Sequence, residues 1–219
     1  MGPVVAVESE LLPILDIAVR RLGLSVVPRS IAQRFPEFSY QSIAVSRTTL
    51  NQIVTYPVVA HSNYRGRLAT TPAKLTELEQ KELQHQAIEA IGKRNLLGSY
   101  LIRFNSTGNL LEVLEGVTSE GLWSQEFSAT SIFENAVRAT FDLPLGNSEM
   151  TQLDWALINF SAPPKLDMKQ PFLHLFAHDP NYRIQKFSSH TGYVAITGKS
   201  DLWAKATHAV DYLEGVIEE

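Results

Sequence analysis

The hydrophobic pattern divides the chain into alternating strand-like and helix-like stretches. Val4 to Val7 reads as a short strand. The segment from Ser9 to Gly23 carries Leu11, Leu15, Ala18, Val19 and Leu22 on one stripe, with Ser9 as N-cap, Pro13 in the first turn and Gly23 as the stop. Leu24 to Val27 reads as a second strand, so the start is a small β-α-β piece. Residues Pro28 to Pro36 form a basic connector containing Arg29 and Arg34. Two β-branched runs follow, Ser39 to Arg47 and Gln52 to Ala60, joined by TTLN as a hairpin, with Pro57 marking an edge or bulge. The stretch Asn63 to Pro72 reads as an extended loop.

Thr76 and Glu79 form a capping box for a long helix ending near Arg94, with Leu78, Leu83, Ala87, Ile88 and Ile91 as its buried face. The middle of the chain, LLGSYLIRFNSTGNLLEVLEGVTSEGLWSQEFSATSIFENAVRATFDLPLG, predicts a strand (Leu96 to Phe104), a turn and an antiparallel partner (Leu110 to Leu114). A loop then leads to about Thr130, and a helix opens on a second capping box, Ser131 and Glu134. Phe133, Val137 and Phe141 align on that helix, and Pro144 and Gly146 stop it. Beyond Gly146, the segments Trp155 to Phe160, Phe172 to His178, Arg183 to Phe187 and Gly192 to Thr197 read as short strands. Asp201 caps a last helix with Leu202, Ala206, Ala209, Val210, Leu213 and Ile217 on one face. The result is an α+β chain in three parts: residues 1–38, a βαβ segment and connector; 39–146, an antiparallel sheet with packed helices; and 147–219, a small β-rich unit with a terminal helix.

Composition narrows the function classes. The 219 residues are 44% hydrophobic and 19% charged, with a formal charge of -4. Scattered basic residues lack the footprint of a nucleic-acid binder. The absence of cysteine removes thiolate catalysis and zinc–thiolate sites and is consistent with the cytoplasm. The acidic start, with Glu8, Glu10 and Asp16, does not read as a secretory leader, and no apolar run suggests a membrane span.

Candidate chemistry is sparse. Glu112 and Glu115, on or just after the second central strand, are oxygen donors of the type magnesium prefers. Arg183, Lys186 and His190 could cradle a phosphate. His174 and His178 lie four apart; on the strand expected there they would be ~13 Å apart, too far to share one ion. Trp123, Trp155 and Trp203 read as core.

The stretch from about Ser39 to Gly198 resembles the C-terminal part of the 5-(carboxyamino)imidazole ribonucleotide synthetases, the ATPase subunit of phosphoribosylaminoimidazole carboxylase. These are ATP-grasp ligases of purine biosynthesis. The resemblance is carried by QSIAVSRT followed by QIVTYPVVAHS, by LLGSYLIRF, by TSIFENAVRATFDLPLG, by WALINFSA, by FLHLFAHDPNYR and by HTGYVAITG. It implies an ATP-grasp C-terminal lobe and Mg-ATP as cofactor if the family activity survives. It also implies residues that are absent here. The family's first central strand carries a glutamate that aligns with Ile102, and the second ends in an Asn-Glu pair aligning near Val113 and Leu114, with Glu115 a shifted stand-in. A family loop reading like APRPHNSGHWT is replaced by EGVTSEGLWS, keeping only Gly121 and Trp123, and a GRKxGH phosphate pattern aligns with Ser188 to Tyr193 without its Arg-Lys pair. Residues before Ser39 supply about one βαβ unit, not the two further lobes of a full ligase.

The resulting expectation is a non-catalytic relative with no catalytic residue, no resident metal and no cofactor. It would act by binding or self-association, as a homo-oligomer or with a partner chain covering the missing lobe, and without nucleic acid or membrane. Two alternatives stand beside it: an ATP-dependent ligase or subunit completed by a partner, using Glu112 and Glu115, and a sensor of a nucleotide-like effector.

Overall fold

The computed structural model describes residues 3–31, 36, 38–164 and 167–216. β1 (Val4–Glu8) and β2 (Val27–Ile31) pair in parallel around α1 (Leu12–Leu22). Here β2 begins where the second strand was expected to end, and takes up Pro28 and Arg29 of the expected connector; Arg34 lies outside the described residues. Ser9 does not cap α1. It opens a one-turn 3₁₀ segment, Ser9–Leu11, and makes no capping bond. Gly23 ends the helix in the left-handed region, φ 66°.

Nine strands form one sheet. They are β3 (Tyr40–Arg47), β4 (Ile53–Thr55), β5 (Val59–Tyr64), β6 (Arg67–Pro72), β7 (Gly98–Phe104), β8 (Leu110–Glu115), β9 (Trp155–Ser161), β10 (Tyr182–Lys186) and β11 (Thr191–Thr197). The order is β10-β11-β9-β6-β5-β3-β7-β8, with β4 paired to β3 and every pairing antiparallel. The α+β class read from the sequence is the class observed. Strands from both sides of residues 147–153 meet through β6 and β9, where Ala69 faces Ile158 and Thr70 faces Leu157.

The segment expected as a loop at 63–72 is instead the β5–β6 hairpin. Arg65 and Gly66 both take positive φ (51° and 81°), the turn whose twist suits adjacent antiparallel strands. Pro57 interrupts the second run and separates β4 from β5.

α2 (Glu77–Lys93) starts on the expected capping box, with both reciprocal bonds present. Leu83, Ala87 and Ile91 are buried, but Leu78 and Ile88, expected on the same face, are exposed. Only the stripe through 83, 87 and 91 faces the sheet. The expected loop before Thr130 contains a 3₁₀ turn, Ser119–Gly121, and α3 (Trp123–Phe127). α4 (Ile132–Thr140) begins on Ser131, whose side chain accepts from the Glu134 amide. The second capping box is only half made, because the Glu134 carboxylate turns to Arg138 and Arg21.

The largest departure is α5 (Lys169–His178), a helix where the alternation FLHLFAH predicts a strand. Pro171 sits in its first turn, where a missing amide costs nothing, and buried Pro171 and Leu175 are one helical turn apart against the core. α6 (Leu202–Leu213) follows Asp201, which precedes the helix at φ 56° without a side-chain cap. Its buried face carries Ala206, Ala209, Val210 and Leu213; Ile217 lies outside the described residues.

One face of the sheet carries a continuous core with α1, α3 and α4, including Leu101, Leu122, Phe133, Leu157 and Tyr193. Trp155 stacks between Trp123 and Phe127 at ring separations of 5.6 and 4.8 Å. On the opposite face, α2 covers Ile43, Val45, Ile102 and Phe104, while α5 and α6 cover Ile158, Val194 and Ile196. Trp203 is not core. It is 44% exposed and meets Tyr64 edge-on.

Candidate functional site

Alternation along β3, β5, β6 and β7 puts Tyr40, Ser42, His61, Thr70 and Arg103 on the face opposite α2. All five are buried. The 3₁₀ turn Ser119–Gly121 closes over them and delivers Glu120, which is fully buried.

The turn is held by the first strand. Glu8 accepts hydrogen bonds from the amide and hydroxyl of Ser119, both at 2.7 Å, and the backbone of β1 exchanges bonds with Val117. Gly116, at φ 91°, lets the chain pass so close to β1 that a Cβ there would lie 2.5 Å from the Ala6 carbonyl oxygen.

Arg103 is the hub. Its Nε and Nη2 donate to Glu120 Oε1 at 3.0 and 2.5 Å, and Nη1 donates to Glu112 Oε2 at 2.9 Å. Its guanidinium carbon lies 5.4 Å from the Tyr40 ring centre. His61 is bridged between the Ser42 and Thr70 hydroxyls at 2.7 and 3.0 Å, with Nε2 3.7 Å from Glu120 Oε2.

The electrostatics follow from burial. Desolvation pushes the Glu120 carboxyl up to about 7, with the hydrogen bonds and charge of Arg103 pulling the other way. Burial, reinforced by the positive charge of Arg103, lowers His61 to about 3, so the imidazole is neutral. The Tyr40 phenol is driven far up by burial and then by Glu120. Tyr40 and His61 also help line an open cavity of about 270 Å³ with Gln41, Ser62, Thr71 and Ser106.

The residues singled out from the sequence fall elsewhere, apart from Glu112. Glu112 and Glu115 lie three apart on a regular stretch of β8 and therefore point to opposite faces. Glu112 joins Arg103, whereas Glu115 pairs with Arg29 of β2. The two do not converge on one point. Arg183 and Lys186 likewise leave β10 on opposite faces: Arg183 pairs with Glu126 at 3.1 Å, and Lys186 Nζ lies 5.6 Å from the Phe172 ring centre. His190 lies outside that strand, in the turn before β11, so the three do not form one cradle.

The alignment positions for metal carboxylates also separate. Ile102 is fully buried under α2, and Leu114 packs into the core on the other face. The cross-strand pair next to Leu101 and Leu114 on that face is Arg103 and Glu112. Of two further network members, Glu120 sits in the segment expected as a loop and His61 just past the strand expected to end at Ala60. The one sequence signal for His61 is its spacing of two from Val59, which puts both on the inward side of β5, and Glu120 has no such signal.

No protein-family profile matches the chain. Curated relatives and solved structures do. The N5-carboxyaminoimidazole ribonucleotide synthase of Vibrio cholerae is 28% identical over 144 residues, covering 62% of this chain and 37% of that protein. A bifunctional purine synthesis protein of Dictyostelium discoideum is 27% identical over 136 residues, covering 57% of this chain and 14% of its own length. The crystal structure of N5-carboxyaminoimidazole ribonucleotide synthetase from Thermotoga maritima superposes with a TM-score of 0.66 at 18% identity, covering 90% of this chain and 64% of that one. The Thermus thermophilus enzyme gives a TM-score of 0.63 at 19% identity, over 85% and 52%.

This chain resembles part of N5-carboxyaminoimidazole ribonucleotide synthase. It spans little more than a third of the length of the Vibrio cholerae synthase. Its sheet and helices share the fold of the synthases, and structures of that group have been solved as complexes with ADP. Among the described residues no helix is long and apolar enough to cross a membrane.

Proposed function

We propose that this chain is a non-catalytic relative of the N5-carboxyaminoimidazole ribonucleotide synthases that acts by binding or self-association. One observation carries the reading: the Arg103 guanidinium lies between Glu112 and Glu120 on the face of the central hairpin turned away from α2. Two carboxylates held about one cation are the arrangement a magnesium site needs. Here the cation is a side chain. It supplies one fixed positive charge, turns three of its five N–H donors to the carboxylates, and, unlike a metal ion, offers no coordination positions. Magnesium could enter only by displacing a buried guanidinium held by three hydrogen bonds, two to buried Glu120 and one to half-exposed Glu112.

Supporting features point the same way. Glu115 is engaged by Arg29, and the segment 188–193 presents serine, histidine and tyrosine in place of paired cationic donors. Phosphoryl transfer relies on metal and cationic groups placed where charge develops, and the described residues gather no such set.

Calorimetry with Mg-ATP tests the reading. No saturable heat is expected. Saturable binding that disappears in Glu115→Ala or Glu112→Ala would replace it with the alternative of a ligase or subunit. Sedimentation tests self-association separately, and a monomer at every concentration would leave a partner chain as the route of action.

A further inference from the structure

The helical state of 169–178 brings together side chains that a strand would hold apart. His174 and His178 occupy successive turns of one face of α5, with ring centres 4.3 Å apart. α6 packs beside α5, and its His208 ring lies 6.5 Å from that of His174. Tyr212, one turn further along α6, stacks flat on His174 at 4.2 Å and fixes the plane of that imidazole. His178 is the last residue of α5. The carbonyl-rich end of a helix favours a cation there.

We infer that His174 and His178 form a chelating site for a borderline divalent transition metal, zinc or nickel in class, with His208 recruited from α6 as a third ligand. Imidazole nitrogens at i and i+4 of a helix reach one ion at the ~2.0–2.1 Å that zinc requires. Ring centres 4.3 Å apart put both imidazoles within reach of one ion, each centre standing about 3 Å from it when its nitrogen is bonded, and small side-chain rotations open the angle to the tetrahedral one. His208 starts too far for the same geometry and joins by turning about its side-chain bonds. Accordingly, among the described residues no group of three ligands is already gathered.

Neutral imidazole suits zinc, copper and nickel, and a site built on histidines among the described residues disfavours magnesium and calcium. The nearest acid in sequence, Asp179, is bound to Lys205 at 2.6 Å and to Asn181. The bound ion would tie α5 to α6. The site lies on the opposite face of the sheet from Arg103 and does not depend on whether the chain is catalytic.

The test is calorimetric titration of the full chain, without a histidine tag, by zinc chloride, nickel chloride and magnesium chloride. Saturable binding of zinc and nickel and none of magnesium are expected. His178→Ala and His174→Ala should each abolish binding, and His208→Ala should weaken it about tenfold, the equivalent of ~1.4 kcal/mol. Circular dichroism of each variant separates ligand loss from misfolding, and His178→Gln offers a second variant where alanine unfolds the helix end. Failure of zinc to bind, or zinc binding unchanged in folded His174 and His178 variants, overturns the site. An unchanged affinity in His208→Ala overturns the third ligand.

Discussion

Arg103 Nη2 lies 2.5 Å from Glu120 Oε1, and neither side chain reaches solvent beyond 3% of its surface. A charged pair this dry is a weak source of net stability, because desolvation offsets the attraction. Breaking it is another matter. Arg103→Met should lower unfolding free energy by about 3–5 kcal/mol by stranding Glu120. Arg103→Met combined with Glu120→Gln should recover much of that loss. Urea denaturation of the two variants checks this, and equal losses in both would refute it.

The same centre has a pH signature. The folded-state pKa of Glu120 is raised from 4.5 to about 7, so its contribution is greatest below 4.5 and is lost as pH rises toward 7. That of His61 is lowered from 6.5 to about 3, so its contribution is full above 6.5 and is lost as pH falls toward 3. Between 4.5 and 6.5 the two slopes oppose and nearly cancel. His61→Gln removes one of them. Relative to the parent, this variant should gain stability on acidification across that window by about 1.4 kcal/mol per pH unit. Thermal unfolding at several pH values measures the difference, and a flat difference would show that the two groups do not titrate as described.

Ile102 is enclosed by Ile43, Leu83 and Phe104 beneath α2. Restoring an acidic residue by Ile102→Glu should therefore not create a magnesium site. It should destabilise the chain by more than about 3 kcal/mol, since a buried carboxylate there has no cation. Chemical denaturation with and without magnesium is the measurement; stabilisation by magnesium would contradict the placement.

Asn135 on α4 holds the DLPLG segment to the sheet. Its Nδ2 donates to Tyr56 Oη at 2.8 Å and to the Gly146 carbonyl, while Oδ1 accepts from the Gly146 amide at 2.8 Å. Asn135→Ala strips these bonds from the half-buried Gly146 amide and carbonyl, leaves the Tyr56 hydroxyl only its bond to the Thr130 carbonyl, and should cost about 1–3 kcal/mol. Faster hydrogen exchange at the Gly146 amide should accompany it. Tyr56→Phe, which deletes the hydroxyl and its bond to the Thr130 carbonyl, should cost less.

Much of this architecture is written locally. The first β-branched run gives β3, the apolar stretches expected as strands give β7, β9 and β11, and the Thr76–Glu79 box starts α2 where the sequence says it must, because these signals act over a few residues. The sequence also determined the antiparallel β7–β8 hairpin, through Gly108 at φ 81°, and the resemblance to a synthase. Tertiary structure decided the rest. FLHLFAH satisfies both periods, and only the core beneath Leu175 selects the helix that joins His174 to His178. Glu112 and Glu115 look like a pair along the chain, yet the pleat sends them apart and hands Glu112 to Arg103. Glu120 lies in a turn with no periodic signal. It is buried because Glu8, 111 residues earlier in the chain, holds the amide of its neighbour Ser119. Contacts at that sequence separation leave no trace in local pattern, so the charged centre of the molecule exists only in the folded chain.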